Sequence, residues 1–180
     1  MRKEDVTFVQ FGTVGQPERT MAVLRKQAVA TILTSPNTYA AEKQGLRRFS
    51  IIRALAIRQL ITVTGTTKRF LREKRDTAEA FLRGYVEGLA YVKTHKDVTM
   101  MVIGRYTRQR DTEVLEKFYD DLVPDLPRVP YVEEASARAT MEAMQALGPP
   151  LPKVDLKTLY DNGLLKGLEA EGFLNKTKLR

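Results

Sequence analysis

The sequence predicts an α/β chain whose C-terminal two-thirds is rich in helix. Three observations carry that expectation. Two alternating, β-branched runs lie near the start, a short helix pattern joins them, and helix patterns follow one another from Thr66 onward. Val6-Thr7-Phe8-Val9-Gln10-Phe11 reads as the first strand, and Gly12-Thr13-Val14-Gly15 as the turn after it. Pro17 suits the first turn of a helix running to about Lys26, with Glu18 at its positive end. Val29 to Leu33 reads as a second strand. Strand, helix and strand at this spacing predict a βαβ unit with parallel strands.

Ser35-Pro36-Asn37 ends that strand, with Asn37 placed to cap a short helix over Thr38–Gln44 that Gly45 closes. Leu46 to Leu60 is ambiguous, because arginines alternate with apolar residues. Ile61-Thr62-Val63-Thr64 reads as a third short strand, and the change of character near residues 60 to 65 is the best boundary between lobes. Asp76 then caps a long helix with Phe81, Leu82, Tyr85, Val86, Leu89 and Val92 on one apolar face. Asp97 and Asp111 are further N-caps. Pro124, Pro127 and Pro130 force an extended link, a helix follows over Glu133–Leu147, and a last helical region runs from Asp155 to Gly172.

At 180 residues, 43% hydrophobic and 29% charged, the chain has ordinary globular composition, which argues against disorder. It contains no cysteine, so disulfide and thiolate chemistry are excluded. The opening residues are charged and show no secretory signal, and no apolar stretch is long enough to span a bilayer. The net charge is +8, and ten basic residues against four acidic ones place +6 of it before residue 61. No basic run is interleaved with aromatics as in single-strand binders, so nucleic acid is not the expected partner.

Chemistry-bearing motifs are few. His95 is the only histidine and has no partner cluster for a metal or a nucleophile. Gly12-Thr13-Val14-Gly15 lacks the Gly-Lys-Ser/Thr of a phosphate loop, although backbone N–H groups between a strand and a helix favour anions. Asp120, Asp121, Asp125, Glu133 and Glu134 read as solvated charge, and Ser35 sits in no nucleophile elbow. No enzyme, cofactor or metal is expected.

An ordered series of segments resembles one family. Val6–Gly12, Gln16–Arg19, Leu33–Tyr39, Phe70–Lys74, Asp76–Gly88, Leu126–Tyr131 and Leu165–Leu174 are similar, in that order, to the nitrate/sulfonate/taurine-type substrate-binding proteins of ABC importers. The resemblance implies a partial type II periplasmic-binding-protein fold that starts inside its second lobe. Residues 1–60 would be that partial lobe, and 61–180 a helical return into the first. It implies an extracytoplasmic, non-catalytic receptor for a small anionic or polar solute such as a sulfonate, nitrate or a pyrimidine precursor, with the importer's permease as partner. The positions matching the family's cleft loops are Gly12, Thr13, Ser35, Pro36, Asn37 and Thr64. Gln27 and Ala30 depart from it, standing where many relatives have Gly and Asp. Missing strands would leave an exposed sheet edge open to self-association. The alternatives are a truncated remnant without a ligand and a basic nucleic-acid-binding module.

Overall fold

The computed structural model describes residues 2–9, 15–51, 60, 62–147 and 154–177. Among these residues the fold is all-helical, 64% helix with no strand and no sheet, which overturns the expected α/β, type II periplasmic-binding-protein fold. Val6–Val9, Val29–Leu33 and Thr62–Thr64 are irregular, while Gln10, Phe11 and Ile61 lie outside the described residues. A β-branched run becomes a strand only where a neighbour pairs its backbone and a surface covers its side chains. Among the described residues neither condition holds. Phe8 is 79% exposed, Val29 fully so and Ile32 66%. Thr34, at the end of the second expected strand, gives its N–H to the Gln16 side-chain carbonyl at 2.6 Å instead of to a ladder. No sheet, and so no sheet edge, occurs among the described residues.

The described helices are α1 (Gln16–Leu24), α2 (Asn37–Lys43), α3 (Lys68–Glu73), α4 (Arg75–Thr94), α5 (Lys96–Thr107), α6 (Thr112–Leu122), α7 (Glu134–Leu147), α8 (Gly163–Ala170) and α9 (Phe173–Lys176). Their ends follow local chemistry. Pro17 lies in the first turn of α1, and the Asp111 carboxylate caps α6 by accepting from Glu113 N and Val114 N. Gly45 and Gly172 take left-handed conformations after α2 and α8. Asn37 is the first residue of α2 and makes no capping hydrogen bond.

The chain divides into two compact units, Met1–Ile51 with Asp97–Leu122, and Ile52–Lys96 with Val123–Arg180. In the first, α2 packs on α1 and on α6. The buried Tyr39 donates its hydroxyl to Asp121, and Lys43 reaches both Asp111 (2.6 Å) and Glu113 (2.7 Å). Val114, Leu115 and Tyr119 supply the buried face of α6. In the second unit α4 buries Val86, Leu89 and Ala90 against Leu165 of α8 and Leu174 of α9. Val86 and Leu168 are completely buried, each contributing about 1.5–3 kcal/mol. Asn162 clamps the backbone of Val132 by both its N–H and its carbonyl, and Arg83 pairs with Glu79 and Glu171 over the ring of Phe173. Among the described residues no helix is long and apolar enough to cross a membrane.

Candidate functional site

The site is a cleft in the first unit where α5 ends, the chain turns, and α6 begins. Gly104 makes the turn possible. A Cβ there would lie 2.9 Å from the Gln109 carbonyl oxygen and 3.2 Å from Leu115 Cδ1, so only glycine lets residue 109 fold back against the helix. Arg108 ends α5 with φ at 57°, a left-handed conformation that costs a non-glycine residue about 1–2 kcal/mol. The loop is then tied down from within. Gln109 Oε1 accepts from the N–H groups of Arg110 and Asp111, both at 2.9 Å, and Asp111 goes on to cap α6.

The result is a solvent-open cavity of about 690 Å³ lined by Met100, Met101, Gly104, Arg105, Arg108, Gln109, Arg110 and Leu115. That volume lies within the roughly 300–1,000 Å³ of small-ligand sites. Met100 and Leu115 are buried and give it an apolar floor. Arg105, Arg108 and Arg110 are exposed, and no carboxylate pairs with them among the described residues.

The flanking acids are engaged elsewhere. The Lys43 hydrogen bond holds the Asp111 carboxyl below its ordinary value. Lys117, then Lys43, does the same for Glu113. Three arginines therefore line a cleft with an apolar floor, and an anion there would be attracted by all three.

The residues expected from the sequence are placed as follows. Ser35, Pro36 and Asn37 lie together at the entry to α2, after a cis Ser35–Pro36 peptide. Pro36 is buried, Ser35 and Asn37 are half-buried, and neither polar side chain has a hydrogen-bond partner among the described residues. Thr64 is exposed in the other unit. Gly12 and Thr13 lie outside the described residues. His95 stacks on Tyr91 at the end of α4, and no group of acidic or histidine side chains among the described residues could hold a metal ion.

The cleft residues were not singled out by the sequence, although a signal was there. Arg105-Tyr106-Thr107-Arg108-Gln109-Arg110 places three arginines in six residues at the end of a helix pattern, with no acid before Asp111. No family model, no curated protein and no solved structure matches the chain. The likeness to substrate-binding proteins thus rests on the quoted segments alone.

Proposed function

We propose that the chain is a non-catalytic receptor for a small anionic solute, held in the cleft between the end of α5 and the start of α6. The observation that supports this reading is three arginines, Arg105, Arg108 and Arg110, without an acidic partner among the described residues and lining a cavity of ligand size. Guanidinium forks match the geometry of oxyanions, and the loop that presents them has its own amides satisfied by Gln109 and Asp111. Among the described residues the lining offers no carboxylate, imidazole or hydroxyl to act as acid, base or nucleophile. The resemblance adds an importer's permease as partner. The helical fold gives that addition no support, and the proposal is binding alone.

Thermal unfolding of the full chain at low salt tests it, using benzoate, benzenesulfonate, inorganic phosphate, phenyl phosphate, neutral benzyl alcohol and a short DNA duplex. A ligand at a hundredfold its Kd stabilises the folded state by about 2.7 kcal/mol. For a chain of this size that raises Tm by roughly 5–10 °C. The expected result is a saturable rise with at least one small anion and none with benzyl alcohol. The rise should vanish when Arg105, Arg108 and Arg110 are all replaced by Gln. A rise that survives the triple replacement moves the site elsewhere. Stabilisation by the duplex alone, steeply salt-dependent, supports the nucleic-acid reading instead. No stabilisation by any of them leaves a remnant without a ligand.

A further inference from the structure

We propose that the cleft takes a phosphate monoester bearing an apolar, preferably aromatic, organic group; this rests on the anion-binding reading above. The charge count points to the headgroup. Three guanidinium groups carry three positive charges within six residues and share no carboxylate. A monoanion would leave two of those charges uncompensated. A phosphoryl group near neutral pH carries close to two negative charges and three terminal oxygens, so more than one fork can engage it.

The floor points to the rest of the ligand. Inorganic phosphate would fill little of about 690 Å³ and would leave Met101, which is 66% exposed, without an apolar partner. Methionine sulfur makes favourable contacts with aromatic rings, and both the buried Met100 and the exposed Met101 of α5 line the cleft. An aryl or alkyl group on the phosphate meets that surface while the headgroup stays with the arginines at the rim.

Calorimetric titration of the full chain at constant ionic strength tests this with phenyl phosphate, inorganic phosphate and benzenesulfonate. The second phosphate proton is lost near pH 6, so between about pH 7.5 and pH 5 the Kd for phenyl phosphate should rise roughly tenfold. Benzenesulfonate, a monoanion throughout, should not change. The arginines stay charged across this window. Asp111 and Glu113, the acids beside the cleft, stay ionised because Lys43 and Lys117 hold their carboxyls low, and Lys43 itself is raised by the same contacts. The pH response therefore belongs to the ligand.

At pH 7.5 phenyl phosphate should bind at least about tenfold tighter than either comparison ligand. Benzenesulfonate binding as tightly, with no pH response in phenyl phosphate, overturns the phosphate assignment while anion binding stands. Inorganic phosphate binding as tightly overturns the organic half. No binding by any of the three removes the anion-binding reading and this inference with it.

Discussion

Replacing Gly104 by alanine probes the geometry of the cleft and the packing beneath it together. In a helix interior, alanine is favoured over glycine by about 1 kcal/mol. At Gly104 the added Cβ would stand 2.9 Å from the Gln109 carbonyl oxygen and 3.2 Å from Leu115 Cδ1. The first of these is backbone and cannot swing aside, and overpacking of this kind costs about 1–3 kcal/mol. The two terms leave Gly104→Ala destabilised by up to about 2 kcal/mol. Relief requires residue 109 to move, and Arg108 and Arg110 move with it. Losing one charge-assisted hydrogen bond of about 1.5 kcal/mol weakens a ligand roughly tenfold. The control is Gly84→Ala on α4, where nothing lies within 4 Å of the added carbon. That change should stabilise by about 1 kcal/mol. Urea unfolding followed by far-ultraviolet circular dichroism, paired with phenyl phosphate titration, reads both effects. If the two variants are equally stabilised and Gly104→Ala binds unchanged, the close approach that shapes the cleft is refuted.

Other perturbations follow from the same contacts. Leu168→Ala removes a completely buried side chain and should cost about 3 kcal/mol in urea unfolding, whereas exposed Leu159→Ala should stay within about 0.5 kcal/mol. Thr99 buries a hydroxyl that has no hydrogen-bond partner among the described residues, so Thr99→Val should raise stability by about 1 kcal/mol; a loss would mean that the hydroxyl is in use. Lys43 holds Asp111 below its ordinary 3.8 and, after Lys117, Glu113 below its ordinary 4.5. The stabilisation from lowered carboxyls is complete above those ordinary values and is lost as pH falls through the lowered ones. Lys43→Met should therefore shift the thermal midpoint downward at neutral pH and hardly at all once those carboxyls are protonated. The shift is small, because all three side chains are more than a third exposed. An equal shift at both pH values would contradict the pairing.

Some helix ends were legible because capping is local, although Asp76 and Asp97, expected as N-caps, lie inside the first turns of α4 and α5 instead. Asp111 caps α6, Pro17 opens α1, and Gly45 and Gly172 turn the chain out of α2 and α8, each within a few residues of the feature that announces it. Strands are not local. Val6–Val9 and Val29–Leu33 have the alternation of half-buried strands, yet a strand is made by its neighbours, and the described residues supply none. The long apolar face expected on α4 is narrower in the fold. Val86 and Leu89 are buried, while Phe81 and Tyr85 stack on each other and remain exposed.

The cleft was illegible for a related reason. Arginines 105, 108 and 110 look like solvated charge in a linear reading, and their place around the cleft depends on contacts that the linear order does not show. Gly104 admits residue 109, the Gln109 side chain closes the loop, and Lys43 of α2 takes up the acids that would otherwise neutralise the arginines. Ser35 and Asn37, singled out because they follow an expected strand, follow irregular chain instead, and Asn37 opens α2.

The most direct measurement of the central claim is a nuclear magnetic resonance titration of the full chain with labelled methionine methyl groups, adding phenyl phosphate. The sequence contains six methionines, and among the described residues only Met100 and Met101 line the cleft. Saturable shifts at Met100 and Met101, with Met21 and Met144 unmoved, are the expected result. Saturable binding that leaves Met100 and Met101 unmoved, or no saturable shift at any methionine, would contradict the assignment of the α5–α6 cleft as the anion site.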